Sequence, residues 1–109
     1  MPLVAWLIFI AAAVLEVAGD AVIRKGLRGS GIALIGGGFV MLGCYGLVVN
    51  ILRWDFSRLL GVYVAVFAVV SVLAGRFAFG EVVPATTWVG LAIIVTGGLV
   101  IQFGAEIRW

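Results

Sequence analysis

Histidine is absent from this chain of 109 residues, which removes an imidazole base, a Ser-His-Asp triad and a His-ligated metal. Cysteine occurs once, at Cys44 within an apolar run, and reads as a small packing residue with no disulfide role. Charge is scarce too: only 11% of residues are charged, and the net charge of +2 gathers at the ends of apolar runs. That is membrane anchoring and not a nucleic-acid footprint. No run shows strand alternation, so no Gly-rich loop follows a strand to cradle a phosphate. With no cofactor, no metal and no catalytic constellation expected, the chain does not read as an enzyme. No linker or low-complexity segment divides it, and a basic n-region is missing ahead of the first run, so that run is expected to be kept.

What the chain has in abundance is apolar surface: 65% of residues are hydrophobic and mean hydropathy is +1.33. The apolar runs cover residues 3–23, 31–52, 58–79 and 87–103. A helix of about 20 residues rises about 30 Å and matches the hydrocarbon core of a bilayer. The fold expected is therefore all-α integral membrane, a single four-helix transmembrane domain over residues 1–109, multi-pass in the cell inner (plasma) membrane. Arg24, Lys25, Gly26, Arg28 and Gly29 break the first run. Ser30 and Ser57 stand as N-caps of the second and third, and Gly80, Glu81 and Pro84 make the last turn.

Glu16 lies inside the first run, close to mid-bilayer. An acid there costs about 2.5 to 3.5 kcal/mol on insertion scales, so it faces a bundle interior, a partner or a water-filled cavity and marks a functional site. The competing account is a buried acid neutralised by a basic neighbour, and it is the weaker one. Asp20 lies four residues on, and Arg24 four further, all within one broad helical face. Two readings of Asp20 stand: a pair with Arg24 or Lys25, or a two-carboxylate cation site with Glu16 that suits a hard ion or a polyamine.

Tyr63 lies inside the third run and wants a hydroxyl partner, either Glu16, a substrate or a helix contact. Trp6, Trp54, Trp88 and Trp109 read as headgroup anchors. Arg76 snorkels, or binds a phosphate headgroup, or pairs with Glu81. Asn50 reads as an interfacial residue or an interhelical hydrogen bond. Gly36, Gly43 and Gly46 line the second helix, while Gly90, Gly97 and Gly104 recur every seventh residue on the fourth and admit another helix closely. The basic residues split almost evenly between the two sides, Arg53, Arg58 and Arg108 against Arg24, Lys25, Arg28 and Arg76. Such a balance permits insertion both ways, and also a single topology with the first loop cytoplasmic.

At this point the chain resembles the small multidrug resistance (SMR) family of the drug/metabolite transporter superfamily. Leu15-Glu16-Val17-Ala18-Gly19 followed by Lys25 resembles the family's glutamate-bearing first helix, and Gly90 through Gly98 is similar to its dimerisation motif. The spacing from Arg58 through Tyr63, Arg76, Gly80 and Trp88 to Gly90 looks most like the YnfA-like subgroup. The resemblance implies an antiparallel homodimer with Gly90, Ile94, Gly97 and Gly98 at its seam. It further implies multidrug efflux by proton antiport, with Glu16 exchanging protons for a small organic cation and Tyr63, Phe67 and Asp20 shaping the site. Two carboxyls in one such site titrate as a coupled unit, so cation and protons compete.

The third helix departs from that pattern. Tyr63-Val64-Ala65-Val66-Phe67-Ala68 lacks the tryptophan and glycines that follow a tyrosine in the family, leaving Phe67 as the aromatic wall and Gly61 and Gly75 as flexing positions. The expected partners are a second copy, a cation with protons, and membrane lipid. Two other functions stay open: a subunit of a lipid-linked sugar flippase, since Gly80-Glu81 and Trp88-Val89-Gly90 recur in such subunits, and a non-transporting membrane scaffold.

Overall fold

The computed structural model describes residues 3–104. Arg108 and Trp109, expected above as a topology-setting charge and an interfacial anchor, lie outside them. Four helices run in chain order: α1 Leu3–Lys25, α2 Ile32–Val49, α3 Phe56–Leu73 and α4 Ala85–Gly104. Each is long and apolar enough to cross a membrane, so the architecture is all-α with four candidate spans. Their 18 to 23 residues rise by about 1.5 Å each, close to the hydrocarbon thickness.

The helix ends differ from expectation where backbone geometry overrides side-chain capping. Instead of Ser30, Gly31 forms the N-cap of α2, with φ at 102°, after Gly29 at φ 120°. Both values lie where glycine alone is unstrained, so the reversal between α1 and α2 is made by glycine backbone. Ser57 is likewise not a cap, because α3 begins one residue earlier with Asp55 as N-cap and no side-chain capping bond. The turn before α4 is closed by the Pro84 carbonyl, which accepts from the Thr87 N–H at 3.0 Å.

The helices group as two compact hairpins, Met1–Leu52 and Arg53–Trp109. In the first, α1 pairs along α2. Its close approach is at Gly19 and Gly38: a methyl group built at Gly19 would fall 3.2 Å from the Gly38 carbonyl oxygen and 3.1 Å from the Leu42 side chain. Small residues of this kind let helix backbones meet where lipid supplies no hydrophobic drive. Gly36, Gly43 and Gly46 have open space around them within the chain, so the glycine that holds the hairpin is Gly38 and not those three.

In the second hairpin α3 pairs with α4. Gly61 sits under Ile101, and Gly98 lies against Ala65. The α3 helix runs on into a wide π-helical turn, Ala74–Ala78, closed by the Phe79 N–H donating to the Ala74 carbonyl at 3.1 Å. Gly75 lies in this turn, buried, with the Glu81 carboxylate beside it. Turns of this width often interrupt helices at functional positions, and here the widening falls at Gly75, whereas Gly61 stays within regular helix.

Candidate functional site: an acid on the seam of the first hairpin

The buried positions of α1 are Ala5, Phe9, Ala12, Ala13 and Gly19. Glu16 falls between Ala12 and Gly19 in the same alternation of four and three residues, so it lies on the stripe that turns inward. It is half-buried, whereas Asp20, one turn on, is exposed. The two carboxylates thus share α1 but not its inner face. Among the described residues no ion pair joins Asp20 to Arg24 or Lys25, all three of which are exposed.

Across the seam α2 presents Gly38, Leu42, Tyr45 and Val49 at the complementary spacing, with Gly38 and Val49 buried and Leu42 and Tyr45 half-buried. The antiparallel register set by Gly19 against Gly38 carries Glu16 toward Tyr45, and the Glu16 charge acts electrostatically on that phenol. Tyr45 was not foreseen. Within the first hairpin the fold brings Tyr45 of α2 to Glu16. The signal was present as the heptad spacing of Gly38, Leu42, Tyr45 and Val49, but its meaning depends on a pairing register that the glycine turn sets.

Tyr63 and Phe67 belong to the second hairpin. Tyr63 is buried and Phe67 half-buried, their ring centroids 6.4 Å apart and tilted by 33°. They form an aromatic pair on one face of α3, as one-turn spacing requires. Gly90 and Gly97 of α4 have open space above them, and Ile94 is exposed. Gly98, by contrast, is taken up by Ala65 inside the hairpin.

Cys44 and Asn50 depart from expectation. Cys44 is exposed on α2 with a free thiol and does not fill a gap inside this chain. Asn50 makes no interhelical bond in the first hairpin; its amide folds back to donate to the Gly46 carbonyl at 2.8 Å and closes the end of α2. Arg76 is exposed, its guanidinium carbon 5.4 Å from the centre of the Phe77 ring.

A polar cluster at the other end of α3 was also missed. Arg58 donates to the Gln102 side-chain oxygen at 3.0 Å, and its guanidinium carbon stands 4.3 Å from the centre of the Trp54 ring. Gln102 is fully buried. The sequence signal was a lone amide near the end of the fourth apolar run, facing a lone arginine near the start of the third.

The chain is 36% identical over 100 residues to a UPF0060 membrane protein of Mycobacterium marinum, an alignment covering 89% of this chain and 90% of that one. The chain belongs to the UPF0060 family of membrane proteins. At 89% of its length, the match reaches into both hairpins of this UPF0060 member. No family model matches the chain, and no solved structure matches it.

Proposed function

We propose that this UPF0060 protein is a proton-coupled exporter of small hydrophobic, guanidinium-like or polyamine-like cations, acting as a homodimer in the plasma membrane. The observation that carries this reading is the position of Glu16: a carboxyl near the middle of a membrane-spanning helix, on its inward stripe, with the Tyr45 phenol across the seam. An acid held at that depth is costly unless it binds something. A carboxylate binds a cation or a proton, and the two compete for it.

The dimer is part of the proposal because one acid in a four-helix chain encloses little volume, and transporters place their sites between repeats or subunits. Ile94 and Gly97 are exposed and Gly90 half-buried, with open space above both glycines, so this part of α4 offers a face on which a second copy can approach closely. In such a pair the two Glu16 carboxyls titrate as one coupled unit.

The test is proton release from purified protein in liposomes or detergent on adding a hydrophobic cation, with wild type compared with Glu16→Gln. Release in wild type that vanishes in the variant supports the exchange. No release from either removes the exporter mechanism and leaves the flippase reading, which predicts a second, different subunit.

A further inference from the structure

We infer that Arg58, seated between Trp54 and Gln102 at the start of α3, is a binding site for a phosphate group. The argument begins with its partners. Among the described residues the guanidinium is held by a neutral amide oxygen and an aromatic ring, and its Nε is buried with no hydrogen-bond partner. A guanidinium carries five donors and a permanent charge. Neutral partners answer the geometry of one donor and, among the described residues, leave the charge without a counter-charge.

The helix adds to that deficit. Arg58 is the third residue of α3, where the free N–H groups already make the helix end positive, and the Asp55 side chain makes no capping bond there. A cation beside that end is unfavourable unless an anion sits with it. Phosphate answers both: it accepts bidentate bonds from arginine and takes N–H bonds at a helix start.

The site is also built. Gln102 is fully buried, and Trp54 covers one face of the guanidinium, so its plane is fixed before a ligand arrives. Arg58 itself is only half-buried, which leaves an approach. Its place within one turn of the start of a membrane span is the depth at which headgroup phosphates lie. The phosphate comes either from a phospholipid headgroup or from a soluble anion, and the rival occupant is the carboxylate of Glu106, a residue outside the described ones.

The experiment is thermal unfolding of the full chain, delipidated in dodecyl maltoside. It is titrated with phosphatidylglycerol in one arm and inorganic phosphate in the other, and repeated for Arg58→Gln, Arg76→Gln and Glu106→Gln. Stabilisation of wild type and Arg76→Gln, with at least tenfold weaker response in Arg58→Gln, supports the site. Response to phosphatidylglycerol alone assigns the headgroup, and an equal response to inorganic phosphate assigns the soluble anion.

Equal responses in wild type and Arg58→Gln overturn the proposal. So does a wild type that responds to neither ligand while Glu106→Gln responds, since the chain then supplies its own anion. If Arg58→Gln does not fold, Arg58→Met combined with Gln102→Leu removes the polar pair together. Retention of phosphatidylglycerol by that variant at the wild-type level in native mass spectrometry counts against the site, and its loss supports it.

Discussion

Gly38 of α2 lies so close to Gly19 of α1 that a methyl group built on it would stand 2.8 Å from the Gly19 carbonyl oxygen. In a bilayer, backbone approach of this kind replaces hydrophobic burial as the source of helix association. Gly38→Ala must therefore push the helices apart as well as displace Ile23, whose side chain also borders the site. The expected cost is about 1–3 kcal/mol, the range for overfilling a closed contact. Gly36→Ala, at a position with open space, leaves stability unchanged or raises it by up to about 1 kcal/mol through helix propensity. Unfolding midpoints in detergent compare the two, and equal midpoints would refute the close approach as the hairpin's clamp.

Much of this arrangement was legible in the sequence. Uninterrupted apolar runs of bilayer length give four spans, and a carboxyl within the first identifies Glu16 before any geometry is known. What was not legible is pairing. Which residue of α2 meets Glu16 depends on where the chain reverses, and Gly29 and Gly31 set that through positive φ and not through a capping side chain such as Ser30. A composition-based reading sees interchangeable glycines along α2. The fold uses Gly38 for contact and leaves Gly36, Gly43 and Gly46 open. The Arg58–Gln102 pair was hidden for the same reason, since its members stand 44 residues apart.

The two adjacent glycines of α4 have different duties. Gly97 faces open space, and Gly98 faces Ala65. Gly97→Leu is expected to leave the hairpin folded while lowering the dimer fraction, as read by cross-linking or energy transfer in liposomes. Gly98→Ala is expected to lower the unfolding midpoint whatever the oligomeric state, by about 1–3 kcal/mol, because the added carbon meets Ala65. A Gly97→Leu protein that dimerises as wild type would move the seam away from this face.

Tyr45 was not foreseen in the sequence, and the proposed exchange gives it a testable part. Tyr45→Phe removes the phenolic oxygen that the Glu16 charge acts upon while keeping the ring. A polar partner of this type contributes about 1 kcal/mol, or roughly fivefold in affinity. Cation-induced proton release should persist in Tyr45→Phe with a half-saturating cation concentration shifted by about that factor, whereas Glu16→Gln abolishes release altogether. An unshifted titration curve would make Tyr45 a packing residue only.

Gln102 and Arg58 give the sharpest energetic prediction, because a polar pair with one member fully buried and the other half-buried costs more to halve than to remove. Gln102→Leu strips Arg58 of the amide oxygen it donates to at 3.0 Å and leaves a second guanidinium nitrogen unanswered beside the already orphaned Nε. The penalty for such a group is about 1–3 kcal/mol, more when it is charged. Adding Arg58→Met takes away the stranded charge and refills the space with a flexible apolar side chain, and replacement of whole buried polar sets by apolar ones is often neutral or stabilising. The double variant should therefore unfold at a midpoint above that of Gln102→Leu alone. The coupling between the two sites, obtained from the four midpoints in a double-mutant cycle, should be of the order of 1 kcal/mol or more. Strict additivity would mean that Gln102 and Arg58 stabilise the hairpin separately, and the neutral partner would then not be what holds the guanidinium in place.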